Sequence, residues 1–181
     1  MSILYGECKC GSYEVGSGSP VHLDSCKYSS KRQVSNNPGY IYDQVKDARP
    51  SWESIYIRFA HSLAERSSCD RASVGSVITS WDHSRVLAIG YNGNYRGGPN
   101  CCDTDEAGSC GCLHAEENAI IKLDFNDHSD KRLYTTTSPC LMCAKRIINA
   151  GVVEVIFANL YRKREGIELL QNNGIKVLCA L

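Results

Sequence analysis

Residues 152–158 constrain this chain most. The run is apolar, built around Val152, Val155, Ile156 and Phe157, and holds no turn residue, so it reads as a strand buried on both faces. The rest of residues 50–181 fits helices around such a strand. Pro50 and Ser51 open a helix whose Trp52, Ile55, Tyr56, Phe59 and Leu63 recur at spacings of three and four. Residues 74–79 and 85–91 read as two strands joined across Trp81, Asp82, His83 and Ser84. A loop rich in Gly, Asn, Pro and Cys fills residues 92–112. A helix is predicted at 114–125, a strand at 133–137, and a helix at 141–150 that ends at Gly151. After the buried run come a helix at 163–172 and a last strand at 175–179. Strands separated by single helices imply parallel pairs with crossover helices, hence a three-layer α/β/α domain. Residues 1–49, rich in Gly, Ser, Asn and Tyr, show no sustained period and read as an irregular N-terminal extension.

Charge narrows the partners. Twenty basic residues balance 20 acidic ones, whereas a protein that lives on nucleic-acid backbones shows a basic excess. A polynucleotide partner is therefore disfavoured. Eleven cysteines is a high count, but it is odd, and Met1 to Cys10 contains no apolar core of a secretory signal. No stretch approaches the ~18 apolar residues of a membrane helix. A chain of 181 residues buries roughly 70% of its unfolded surface and needs no disulfides. The thiols point to metal binding in a reducing compartment, the cytoplasm, or a host's cytoplasm for a viral protein.

The chemistry is concentrated in two short stretches, His114-Ala115-Glu116 and Pro139-Cys140-Leu141-Met142-Cys143. Either alone is weak: the first is commonly a solvated first helical turn, and the second is as often half a structural zinc site or a redox pair. Together they form H-x-E…P-C-x-x-C, the signature of zinc nucleobase deaminases. One imidazole and two thiolates leave the fourth tetrahedral position of a zinc ion open, as a catalytic site requires. Pro139 suits the first position of a helix and would place both thiols in its first turn, where free N–H groups and the dipole favour thiolates. Glu116 lies two residues from a ligand, close to the metal but not needed to bind it, where a general acid/base belongs.

Further matching pieces are Arg66-Ser67-Ser68-Cys69-Asp70-Arg71 ahead of Val74-Gly75, Gly90-Tyr91-Asn92-Gly93, the helix His114-Ala115-Glu116-Glu117-Asn118-Ala119-Ile120, Cys143-Ala144-Lys145, and Tyr161 ahead of Gly166. With these, residues 50–181 resemble the deoxycytidylate deaminases of the cytidine deaminase superfamily. The resemblance implies a five-stranded mixed sheet between helices. It implies hydrolysis at C4 of a cytosine base, most simply of deoxycytidylate or a 5-substituted analogue, with Glu116 moving the water's proton to N3 and then to the departing ammonia. Asn92 and the Ala115 N–H would hold the sugar and base edge. The Ser138 carbonyl would accept from the exocyclic amine, Tyr161 would stack near the pyrimidine, and Arg71 or Arg66 would meet the 5′-phosphate.

Some viral members hold a second zinc. The corresponding positions here are Cys69, Cys101 and Cys112, with Cys110 as a fourth ligand and Cys102 as an alternative to Cys101; four thiolates with no open position describe a structural site. Cys8, Cys10, His22 and Cys26 would make a third set. The family also implies a homo-oligomer and dCTP and dTTP effectors, through the loop after Gly93 and the later turns of the 114–125 helix. Lys122 and Phe125 depart from the usual aromatic and arginine there. The competing functions are deamination of cytosine or adenine within a single-stranded nucleic acid or tRNA, and a zinc-stabilised binding module without catalysis.

Overall fold

The computed structural model describes residues 49–106 and 110–180. In chain order the elements are helix α1 (Trp52–Ala64), strands β1 (Gly75–Ser80) and β2 (Val86–Tyr91), helix α2 (Ala115–Ile120), strand β3 (Lys131–Thr137), helix α3 (Leu141–Asn149), strand β4 (Val152–Asn159), helix α4 (Glu165–Asn172) and strand β5 (Lys176–Cys179). The strands form one sheet in the order β2-β1-β3-β4-β5. β1 is antiparallel to both β2 and β3, while β3, β4 and β5 run parallel. This is the five-stranded mixed sheet that the family resemblance implies.

Strand periodicity sorts the core into two layers. Val77, Tyr134 and Ile156 face α1 and pack with Tyr56, Ile57 and Ala60. Their neighbours Ile78, Leu133 and Val155 face the other way, against α2, α3 and α4 through Ala119, Ile147 and Leu170. Ile78, Leu133, Ile147, Val155 and Leu170 are fully enclosed, each stabilising the fold by roughly 1.5–3 kcal/mol.

Three sequence expectations shift. The buried face of α1 is Tyr56, Ile57, Ala60 and Ala64, while Trp52 and Phe59 of the expected stripe are exposed. A β-carbon on Gly75 would lie 1.9 Å from the Ala60 carbonyl oxygen, so β1 and α1 approach where only small residues fit. Helix α2 stops at Ile120 rather than 125. Beyond it, the Asp124 and Asp127 carboxylates accept from the backbone N–H groups of Asn126 and Ser129 at 2.9 Å each, turning the chain instead of letting it coil. Within the apolar run, Glu154 is buried and ion-paired to Arg132 at 2.5 Å and Lys176 at 2.7 Å. It ties β4 to both neighbours, β3 and β5.

The 80–85 turn is polar. Asp82 accepts from the Ser80 hydroxyl at 2.6 Å and from the Ser84 hydroxyl and N–H at 2.8 and 3.1 Å. His83 adopts a left-handed φ of 62° and is stacked on Trp52, with Arg132 and the Tyr134 hydroxyl on its ring nitrogens.

Candidate active site

The carboxyl ends of β1 and β3 point in opposite directions, and the chain gathers at the end where β3 runs into α3. There His114 is the N-cap of α2 and Cys140 the N-cap of α3. Cys140 therefore precedes the helix, where the sequence reading has it inside the first turn, and its sulfur accepts the Cys143 N–H at 3.5 Å. The capping thiol does for α3 what Ser or Asp usually does. Close packing sets both helix starts. A β-carbon on Gly90 would come within 2.1 Å of the Ala115 carbonyl oxygen, and one on Gly166 within 2.1 Å of the Pro139 carbonyl oxygen. Glycine lets β2 and α4 press directly against the backbone that carries the ligands.

His114 Nδ1 lies 3.4 Å from the Cys140 sulfur and 3.3 Å from the Cys143 sulfur. A tetrahedron with arms of ~2.3 Å to sulfur and ~2.1 Å to nitrogen has a sulfur–nitrogen edge of about 3.6 Å. The three residues thus fit a zinc ion, with one corner left over. The Cys143 thiol donating to Cys140 outweighs burial and, with His114, holds Cys140 at about 3. Cys143 is pushed far up, first by Cys140 beside it and then by burial. Hydrogen bonding to Cys140 raises His114 against burial. The cluster holds one ready thiolate, as a metal site needs.

Glu116 is buried on the first turn of α2. Burial holds its carboxyl above the ordinary range, against the pull of its own backbone N–H and His114. It lines a cavity of about 280 Å³ together with His114, Ala115, Cys140, Asn92, Thr137, Ser138 and Tyr161. Asn92 lines it with its amide committed: Oδ1 accepts from the Val74 N–H at 2.8 Å and Nδ2 donates to the Ala72 carbonyl at 2.7 Å. Ser138 and Tyr161 are joined, the Tyr161 N–H donating to Ser138 Oγ at 2.8 Å.

The arginines sort differently from expectation. Arg71 lines the cavity and Arg66 does not; Arg66 sits just past the C-terminus of α1, exposed to solvent. The second cation on the wall is Arg162, its guanidinium 5.6 Å from the Tyr161 ring centroid. Nothing in the sequence marks Arg162 except adjacency to Tyr161.

A second group of ligands adjoins the first. The sulfurs of Cys69 and Cys102 are 3.7 Å apart, Cys69 and Cys110 3.7 Å, and Cys102 and Cys112 3.8 Å. A regular tetrahedron with ~2.3 Å arms has sulfur–sulfur edges of about 3.8 Å, so four thiolates fit one zinc and close its coordination. Cys101, named for this set from sequence, is exposed and stands outside it; Cys102 takes the position. The Cys102 N–H donates to Asp70 Oδ2 at 3.3 Å, which draws that residue to Cys69. Burial raises the Cys69 thiol, but the N–H groups of Arg71 and Ala72 more than offset it and bring it to about 7. The third expected set, Cys8, Cys10, His22 and Cys26, lies outside the described residues.

Residues 50–159 match the family model of the cytidine and deoxycytidylate deaminase zinc-binding region. The chain belongs to that family. Among its relatives, the deoxycytidylate deaminase of Saccharomyces cerevisiae is 39% identical over 141 residues, 71% of this chain and 45% of that protein. That of Schizosaccharomyces pombe is 36% identical over 143 residues, 71% of this chain and 44% of that protein. The chain thus spans less than half the length of these two relatives. The crystal structure of dCMP deaminase from the cyanophage S-TIM5 in complex with dCMP and dUMP superposes with a TM-score of 0.64 at 35% identity, covering 71% of this chain and 96% of that one. The family model is that of a zinc-binding region, and among the described residues His114, Cys140 and Cys143 form a group able to hold a metal ion.

Proposed function

We propose that this chain hydrolyses deoxycytidylate to deoxyuridylate and ammonia. The observation that carries the reading is a buried carboxyl, Glu116, in one cavity with a three-ligand open metal site and two arginines. Zinc held by His114, Cys140 and Cys143 would supply Lewis acidity to activate water at the open corner. Glu116, its carboxyl raised above the ordinary range by burial, takes the attacking water's proton, delivers it to N3 of the base, and returns a proton to the C4 amine as ammonia departs. The Ser138 carbonyl accepts from that amine, the Ala115 N–H meets the base edge, and the Tyr161 ring flanks the pyrimidine. Asn92 holds residues 72–74 in place and offers its remaining N–H to the sugar. Arg71 and Arg162 take the 5′-phosphate, the group that a cavity with two cations on its wall is equipped to bind.

The four-thiol group holds a second, structural zinc in this reading. A nucleoside triphosphate effector would sit on the Gly-rich loop, where Tyr95 is exposed, and a homo-oligomer would cover exposed Ile121 and Phe125. No helix among the described residues is long and apolar enough to cross a membrane, and eight free thiols among them suit the reducing cytoplasm. The reaction is tested in ¹⁸O-labelled water. Deoxyuridylate carrying one heavy oxygen at C4, with one ammonia per turnover, is expected; product without the label excludes hydrolysis.

A further inference from the structure

Building on the deoxycytidylate reading, we propose that the four-thiol group is the wall that aims Arg71 at the substrate's phosphate, so that a metal held there sets the preference for nucleotide over nucleoside. Cys69, Cys110 and Cys112 line the same cavity as His114 and Glu116, and so does Arg71, two residues after Cys69. The Arg71 guanidinium donates to the Glu106 carbonyl at 2.9 Å. It is thereby fastened to the two segments that the thiols join, its own through Cys69 and the facing loop through Cys102 and Cys110.

Among its described residues, that loop is held by polar contacts at the surface. None of residues 94–106 and 110–112 is buried. Among its described residues the other ties are polar, among them Asp103 N–H to the Cys110 carbonyl at 2.9 Å, Asn94 Nδ2 to Asp103 at 2.6 Å and to the Cys101 carbonyl at 3.4 Å, Gly98 N–H to the Tyr95 carbonyl at 2.9 Å, and Cys102 N–H to Asp70. Loops with few buried apolar contacts open at low free-energy cost. A metal on four thiolates contributes directly to their order.

The base end of the cavity is insulated from this clamp. Leu113, between Cys112 and His114, exchanges both backbone hydrogen bonds with Gly93, at 2.8 and 3.1 Å. Glu116, Cys140 and Cys143 sit on or at the start of helices packed in the core. Loss of the clamp falls on the phosphate and spares the base.

The test measures equilibrium binding of dCMP and of deoxycytidine to the metal-loaded full chain carrying Glu116→Gln, so that neither ligand is consumed. Cys102→Ser in that background should lack one metal per chain and bind dCMP roughly 10–100-fold more weakly, the worth of a charge-assisted contact, with deoxycytidine affinity unchanged. Arg71→Ala should give the same pattern with its metals intact, and the double variant should be no weaker than either alone. A Cys102→Ser protein that keeps its preference for dCMP, or that loses both ligands equally, overturns the proposal. Should Cys102→Ser fail to fold, Arg71→Ala decides: an unchanged preference refutes the clamp. Equal affinity of the parent for both ligands contradicts the deoxycytidylate reading itself, and this proposal with it.

Discussion

The Cys140 sulfur accepts the Cys143 N–H at 3.5 Å, so one ligand of the open metal site caps the helix that carries another. The ligand geometry is therefore tied to the fold of α3 rather than to a mobile loop. With Gly166 pressed against Pro139, the cap has little room to move. Rigidity of this kind is what a site needs to hold a water and a carboxyl at fixed positions.

Glu116→Gln keeps shape but removes the proton carrier. Turnover should drop by at least ~10²-fold, as expected for loss of general acid/base catalysis, while zinc content by mass spectrometry stays at the parental value. A metal-loaded variant with normal turnover would remove Glu116 from the chemistry.

The choice between adjacent thiols gives a second test. Cys101→Ser should leave the metal content unchanged, because Cys101 is exposed and outside the four-sulfur group. Cys102→Ser should lose one metal and lower the melting temperature. The opposite ranking in native mass spectrometry would restore Cys101 as the ligand.

Gly90→Ala places a β-carbon 2.1 Å from the Ala115 carbonyl oxygen and 2.6 Å from the Ala119 nitrogen. Backbone on both sides cannot yield cheaply. The variant should lose about 1–3 kcal/mol or more, the usual cost of overpacking, read as a fall in the denaturant midpoint. Turnover should fall as well, because α2 carries Glu116. An unchanged midpoint would show that β2 and α2 are not in the contact described.

Asp82 supplies a pH signature. Hydrogen bonds from Ser80 and Ser84 lower its carboxyl from 3.8 to about 2. A depressed carboxylate contributes stability that is present above the unfolded value and lost as pH falls through the folded one. Asp82→Asn should therefore melt below the parent at neutral pH, with the gap narrowing under pH 3.8 and closing near pH 2. A gap independent of pH would assign the loss to something other than the charge.

What was legible from sequence follows the range of the interactions. H-A-E and P-C-x-x-C are local patterns whose residues share a turn, so spacing pairs His114 with Glu116 and Cys140 with Cys143, and the combined signature joins the two pairs. The alternation of strands and helices likewise comes from short-range periodicity. Cys102 was not separable from Cys101, because neighbouring side chains diverge and a remote carboxylate, Asp70, decides which one faces Cys69. Arg162 reaches the cavity by the path of the chain after β4, which no motif encodes. The buried face of α1 differs from the apolar stripe because β1 presses on the helix backbone at Ala60 and Ala64, an approach that Gly75 on another element permits and helical spacing does not encode. Glu154 passed unnoticed inside an apolar run because its partners Arg132 and Lys176 lie on two other strands.

The central claim is the substrate, and relative kcat/KM decides it. Purified, zinc-loaded chain is given dCMP, 5-methyl-dCMP, dCTP, cytidine, deoxycytidine and single-stranded DNA in parallel, with ammonia release as the readout. The account predicts that dCMP is the best unmodified substrate, with deoxycytidine and cytidine lower by roughly the 10–100-fold that phosphate contacts supply. Faster release from single-stranded DNA than from every mononucleotide would contradict it.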